Sequence, residues 1–221
     1  MNIATILVQS ISQLNAAVAA STGNKRRLII DLKSEIKSEI IRKAIHFLIA
    51  LSPAMAAINK SFTVFFLMFG ILIYTLLEYL RLCGVKVPVI SSLTSMASRP
   101  RDVGFTMGPV TLGFGALLAL LFYPSQAAAI AIYALAFGDG IASLAGKIIG
   151  KRRPAFLFGK SVEGSLSCFA VVFTVSYFVS GSLHIAFAAG FTAAIVEALP
   201  LGDYDNLAIP VAVGFIVQYM V

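Results

Sequence analysis

Long apolar stretches dominate this sequence and leave few ways for the chain to fold. Runs such as residues 62–80 and 127–145 approach the roughly 20 residues that a helix needs to cross the hydrocarbon layer of a membrane. Charged residues make up only 12% of the 221 residues, against about a quarter in soluble domains. A water-soluble globule needs more polar surface, and a disordered chain or coiled coil needs more charge. The sequence therefore predicts an all-α, polytopic helical bundle in a membrane.

We expect about seven transmembrane helices within one transmembrane catalytic domain, residues 40–221. The first helix extends back toward Ile40. The predicted spans are residues 44–58, 62–80, 104–123, 127–145, 164–181, 183–199 and 207–221.

The N-terminal segment, residues 1–39, differs from these spans. Apolar residues such as Ile3, Leu7 and Leu14 recur at helical spacing, but polar residues interrupt them. Residues 28–41 then alternate acidic and basic side chains. Both patterns are typical of amphipathic helices that lie on a membrane surface. A signal peptide is not expected, because the basic cluster follows the first apolar stretch instead of preceding it.

The basic residues are distributed unequally between the two sides of the predicted spans. Every Lys and Arg except Lys60 falls on one side, which the positive-inside rule assigns to the cytoplasm. The N-terminus is then cytoplasmic and the C-terminus lies on the opposite side. The net charge of +7 thus predicts topology and attraction to anionic lipid, not nucleic-acid binding.

The first candidate for chemistry is Asp139, in the run Gly-Asp-Gly-Ile-Ala-Ser of the fourth span. An acid inside an apolar helix is costly and is a functional candidate. Ser143, Gly146 and Gly150 share its helical face. The small residues leave room either for a ligand or for a neighbouring helix. A carboxylate near phosphate-binding bases is also a natural Mg²⁺ ligand.

A second candidate is the run Gly-Lys-Ser-Val-Glu-Gly-Ser that begins at Gly159. Ser161 stands where the N-cap of the fifth span is expected, and the start of a helix attracts phosphate. Lys160 adds a positive charge, and Glu163 follows within the first turn. A Walker A loop is excluded, because Pro154 occupies the position of its first glycine and no strand precedes it.

Two further clusters are more ambiguous. Glu39, Arg42, Lys43 and His46 share one helical face and predict either a polyphosphate grip or an ion pair with interfacial anchors. The acidic turn between the last two spans contains Asp205-Asn206. This pair predicts either a helix cap or a further metal or nucleotide contact.

Four motifs together resemble the membrane family of dolichol kinases, phytol kinases and CTP-dependent diacylglycerol kinases. They are the Glu39–His46 basic motif, the Asp139 motif with Gly146-Lys147, Lys-Ser-Val-Glu-Gly-Ser, and Asp-Asn-Leu-Ala-Ile-Pro. The resemblance runs from about Glu39 to Pro210. It implies an enzyme that uses Mg²⁺ and transfers the γ-phosphoryl group of CTP to the hydroxyl of a membrane lipid alcohol at the cytoplasmic face.

The resemblance also implies roles for individual residues. Asp139 would hold Mg²⁺ or help activate the hydroxyl, and Asp205 would be a second metal ligand. The catalytic cations would be Arg42, Lys43 and Lys160. The expected nucleotide-binding residues are Ser161, Glu163, Gly146, Lys147 and Asn206.

Two alternatives remain open at this point. Phosphatidate cytidylyltransferases share the Gly-Asp and Lys-Ser/Thr-Val-Glu-Gly elements, but their C-terminal histidine and Asp-Arg-x-Asp signature is missing here. The other alternative is a non-catalytic membrane transporter or scaffold, in which the cytoplasmic charges serve only as lipid anchors.

Overall fold

The computed structural model describes residues 39–85 and 104–221. Their secondary structure is helical throughout, without strands in this part of the chain. The N-terminal amphipathic segment predicted for residues 1–39 lies outside the described residues, except for Glu39. The helices are α1 (Glu39–Ile58), α2 (Lys60–Leu82), α3 (Gly108–Phe122), α4 (Ser125–Ile148), α5 (Val162–Ser180), α6 (Leu183–Ala198) and α7 (Asp205–Gln218).

Each of the seven predicted spans overlaps one of these helices, but within residues 39–85 and 104–221 four helices are long and apolar enough to cross a membrane: α1, α2, α4 and α5. The other three helices contain 15, 16 and 14 residues, fewer than the about 20 that a span requires. The third helix also begins at Gly108, later than the predicted residue 104. The structure is therefore a helical bundle with four candidate spans among the described residues.

Helix α4 is the centre of the bundle. Its buried residues are mostly small, including Ala127, Ala131 and Ala134. Small side chains let neighbouring helices approach closely, which is how helices pack in membranes. By contrast, α2 lies at the periphery and exposes large side chains such as Phe65 and Phe69. An apolar outer face of this kind suits contact with lipid.

Helix α1 is interrupted by a turn at residues 50 and 51. Pro53 has no N–H to donate to the carbonyl of Ile49. The Ser52 hydroxyl donates to that carbonyl instead, at 2.8 Å. The break therefore has a local cause in the sequence.

Polar contacts collect at one end of the bundle, which we call the polar end. It contains the starts of α1, α3, α5 and α7 and the ends of α2, α4 and α6, because successive helices run in opposite directions. Contacts across this end include Lys147 with Glu39, Asn206 with Thr111, and Ser165 with Glu197. The chemistry-bearing motifs are thus assembled on one side of the apolar core.

Candidate active site

A buried ion pair between α1 and α4 forms the middle of the candidate site. Lys43 Nζ donates to Asp139 Oδ2, and both residues are almost completely buried. Taking either charge out of water is costly, and their mutual attraction offsets that cost only when the geometry is good. The Glu39–His46 motif and the Asp139 motif therefore meet in one interaction.

His46 connects this pair to α7. Its Nε2 atom lies 3.3 Å from Asp139 Oδ2 and 3.1 Å from Asn206 Oδ1. Its other ring nitrogen, Nδ1, donates to the carbonyl of Arg42 at 3.1 Å. The imidazole is therefore fixed on both sides, and it brings the Asp-Asn motif of α7 to the carboxylate of α4.

Asn206 is held in turn by the start of α3. Its Nδ2 atom donates to Thr111 Oγ1 at 3.0 Å and to the Gly108 carbonyl at 3.4 Å. A side chain on Gly115 would collide with the backbone carbonyl of Asn206, so glycine is required where α3 crosses α7. We call Lys43, His46, Asp139 and Asn206 the central network.

Glu39 forms a second set of ion pairs beside the central network. One carboxylate oxygen, Oε1, accepts from Arg42, and the other, Oε2, lies 2.7 Å from Lys147 Nζ. Glu39 itself is buried. Arg42 and Lys147, predicted as a catalytic and a nucleotide-binding residue, are therefore brought together by a carboxylate from the same basic motif.

Lys160 belongs to a different cluster. Its Nζ atom donates to the backbone carbonyl of Glu197 and lies 3.2 Å from Glu197 Oε1. The other carboxylate oxygen of Glu197 accepts from Ser165 Oγ at 3.1 Å. No direct contact between Lys160 and Asp139 is seen in this part of the chain.

Ser161 is the N-cap of α5, as the sequence predicts: its hydroxyl accepts from the Gly164 N–H at 3.1 Å. A side chain on Gly146 would come within 3.0 Å of this hydroxyl, and one on Gly164 would come within 2.9 Å of the Ala142 carbonyl. The small residues on α4 were expected to leave room either for a ligand or for a neighbouring helix. Gly146 leaves room for the neighbouring helix α5.

Glu163 and Asp205 lie outside the central network. The Glu163 carboxylate accepts from the backbone N–H of Arg152 at 3.3 Å and so holds the connection between α4 and α5. Asp205 is the first residue of α7, next to Asn206, and the N-cap of that helix is Tyr204. Asp205 is thus one residue from the central network, and the cap expected at Asp205-Asn206 is one position earlier.

A magnesium ion would need a carboxylate of the central network. Mg²⁺ is usually held by one or two carboxylates together with substrate phosphates. Asp139 Oδ2 is engaged by Lys43 and His46, whereas Oδ1 accepts from the Ser143 hydroxyl at 3.4 Å. Across residues 39–85 and 104–221, no three His, Cys, Asp or Glu side chains form a metal cluster by themselves. Asp139 is therefore the carboxylate of the central network that could contribute to such a site.

A separate buried carboxylate occurs at the end of α2. Glu78 is fully buried, and both of its oxygens accept from Arg81 at 2.8 Å. Glu78 Oε1 also accepts from the backbone N–H of Thr106 at 3.0 Å. This cluster fastens the segment before α3 to α2 and shares no residue with the central network.

Sequence reasoning missed two residues of the site. Glu197 gave a weak signal, as an acid near the end of an apolar run, but nothing indicated Lys160 as its partner. Thr111 gave no signal, because a threonine inside an apolar helix usually bonds to its own backbone, as it also does here with the Gly108 carbonyl at 3.0 Å.

No family model, curated protein or solved structure matches the chain.

Proposed function

We propose that the protein is a CTP-dependent lipid-alcohol kinase that transfers the γ-phosphoryl group of CTP to a membrane lipid hydroxyl. The observation that supports this proposal is the central network. Its residues come from three of the four motifs that resemble this kinase family, although they are far apart in the chain. Lys43 and Asp139 are separated by 96 positions, and His46 and Asn206 by 160.

The charges at the polar end suit phosphoryl transfer. Such enzymes work chiefly by positioning the phosphates and stabilising their charge. Arg42 and Lys147 would contact the phosphate chain from α1 and α4, and Lys43 would add positive charge from its pair with Asp139. Lys160 and the N–H groups at the start of α5 would approach it from the other cluster, since a helix start attracts phosphate.

In the proposed reaction the oxygen of the lipid hydroxyl attacks the γ-phosphorus of CTP. The bond from that phosphorus to the β–γ bridging oxygen breaks, and CDP leaves. The hydroxyl proton passes to a carboxylate of the site, and we propose Asp139 for this role. Asp139, with Asp205 as the second candidate, would hold Mg²⁺, which neutralises phosphate charge when bound.

We further propose that the polar end faces the cytoplasm. The N-terminus is then inside and the C-terminus lies on the opposite side. In this arrangement the three shorter helices complete seven crossings. The positive-inside rule supports the orientation, because the described Lys and Arg residues other than Lys60 lie at the polar end or in its connections. Soluble CTP would reach the site from the cytosol, and the lipid acceptor (a polyprenol such as dolichol, phytol or diacylglycerol) from the bilayer.

The test is the position of the label that enters lipid. Purified protein in mixed-lipid vesicles with Mg²⁺ receives CTP labelled at either the α- or the γ-phosphorus. Label entering lipid from the γ position supports the kinase. Label entering from the α position, with release of pyrophosphate, assigns the protein as a phosphatidate cytidylyltransferase instead.

One observation favours the non-catalytic alternative, a transporter or scaffold. Every buried side-chain nitrogen or oxygen in the described residues already has a hydrogen-bond partner, as expected of a network that only holds helices together. The two functions differ in ligand response. A kinase must be stabilised by CTP, because a ligand that binds the folded state raises the melting temperature. A scaffold shows no such shift and no turnover.

A further inference from the structure

The Arg42–Glu39–Lys147 cluster has a feature that the proposed reaction does not by itself require. One buried carboxylate binds two cations, Arg42 on Oε1 and Lys147 on Oε2. The cations come from different helices, α1 and α4. Without the carboxylate they would repel each other, so Glu39 keeps two like charges close together.

The cluster also carries an excess of positive charge. Together with the adjoining Lys43–Asp139 pair, it contains three permanent cations and two carboxylates. Exposure of the cations increases outward, from 2% for the Lys43 side chain to 15% for Arg42 and 36% for Lys147. An uncompensated charge that is buried at one side and open at the other is suited to an incoming anion.

We propose that Glu39 is a positioning residue, and that Arg42 and Lys147, which it holds together, form a binding subsite for the phosphate chain of a nucleoside triphosphate. This inference rests on the proposed function. It adds Glu39 to the site and assigns different roles to the neighbouring cations. Arg42 and Lys147 bind the phosphate chain. Lys43, one residue further along α1, is paired with Asp139 and lies on the side of the bundle core.

Removing the Glu39 charge tests the proposal through the direction in which the affinity for anions changes. If Glu39 only neutralised its neighbours, Glu39→Gln would tighten anion binding, because the cluster would gain a positive charge. If Glu39 positions the two cations, the same change separates them and weakens binding. Loss of a positioned charged contact predicts a weakening of about tenfold.

The experiment measures the dissociation constant of inorganic tripolyphosphate, and then of CTP, for the purified full-length protein in neutral detergent. Glu39→Gln is compared with Glu39→Asp, which keeps the carboxylate and should bind more tightly than Glu39→Gln. If Glu39→Gln does not fold, Glu39→Asp against the wild type becomes the test, and weaker tripolyphosphate binding is expected from its shorter reach.

The chain offers a matched control in Glu78→Gln. Glu78 is also a buried carboxylate at the polar end with an arginine three residues later, but it lies on α2 away from the central network. Glu78→Gln should lower thermal stability and leave tripolyphosphate affinity unchanged. A merely structural role for Glu39 would give the same result in both variants.

The outcomes separate this inference from the proposed function. If the wild type binds neither tripolyphosphate nor CTP, the proposed function fails. If the wild type binds both and Glu39→Gln binds equally or more tightly, only the inference fails. Repeating the measurement in vesicles with anionic phosphatidylglycerol tests the other source of phosphate. A Glu39→Gln effect confined to anionic lipid would overturn the subsite as a nucleotide site.

Discussion

Lys43 of α1 and Asp139 of α4 form a buried ion pair, although 96 positions separate them in the chain. A pair of this kind contributes little net stability, because desolvation offsets the attraction between the charges. Breaking it by removing one partner is nevertheless strongly destabilising, since the other charge stays buried. Experiments on the site must therefore separate loss of function from loss of fold.

The first prediction concerns Asp139→Asn. We expect phosphoryl transfer from CTP to fall by about 100-fold or more, the size of effect seen when a preorganised electrostatic group is removed. The measurement is incorporation of γ-labelled phosphate into lipid at matched protein abundance in the membrane. Full activity in this variant would exclude Asp139 from metal binding and proton transfer.

The paired control is the double variant Lys43→Met with Asp139→Leu. Replacing both charges by apolar side chains removes the unpaired buried charge, and such replacements are often neutral or stabilising. We expect thermal stability near that of the wild type and no lipid phosphorylation. If the double variant retained activity, the ion pair would have a structural role only and no role in phosphoryl transfer.

The second prediction concerns the Lys160 cluster. Glu197→Gln removes the charge that faces Lys160 but keeps the backbone carbonyl contact. We expect a loss of about 1.5–3 kcal/mol in the free energy of unfolding, as for a hydrogen bond to a charged group. Ser165→Ala removes only the hydroxyl contact to the same carboxylate and should cost about 1 kcal/mol. Thermal unfolding in detergent measures both. Equal effects would mean that the charge of Glu197 is unimportant.

The third prediction concerns packing between α4 and α5. A Cβ on Gly164 would lie 2.9 Å from the Ala142 carbonyl and 3.0 Å from Ser161 Oγ. We expect Gly164→Ala to destabilise the protein by about 1–3 kcal/mol through overpacking.

Gly70→Ala in α2 is the matched control for this substitution. The space around Gly70 is open, and alanine is a better helix former than glycine by about 1 kcal/mol. Thermal unfolding should therefore show a neutral or slightly higher midpoint for Gly70→Ala. A neutral Gly164→Ala would contradict the close approach of the two helices.

The fourth prediction tests orientation with the two native cysteines. Cys83 is exposed at the end of α2, whereas Cys168 is buried. A membrane-impermeant maleimide should therefore label Cys83 in inside-out vesicles and leave sealed right-side-out vesicles unlabelled. Cys83→Ser should abolish the labelling. Labelling in right-side-out vesicles would place the polar end on the outer face.

Much of the fold could be predicted because the apolar runs are long and the breaks between them are polar. The helices occur near the predicted spans, and the Ser161 N-cap is confirmed. The start of α3 was predicted too early, at residue 104, because Gly104, Phe105 and Thr106 are apolar enough to extend the run. Composition does not show that Gly104 accepts from Arg81 and that Thr106 donates to Glu78.

The site was predictable as a set of residues but not as a set of pairs. Spacing on one helix correctly placed Lys43 and His46 on the same face. It gave no information about which carboxylate each cation meets, because that depends on helix packing. In the structure Asp139 pairs with Lys43, and His46 links Asp139 to Asn206. Glu39 binds both Arg42 and Lys147. Lys160 pairs with Glu197.

The middle of α4 is π-helical from Ala134 to Asp139. A π-helical turn accommodates one residue more than an α-helical turn, and such turns are frequent at functional sites. Each residue of an α-helix rotates the following side chains by about 100°. If the same residues formed a regular α-helix instead, every side chain after Tyr133 would be rotated by about 100° relative to those before it, and the Asp139 carboxylate would turn away from Lys43. The π-helical turn therefore sets the direction of the carboxylate that the ion pair with Lys43 requires.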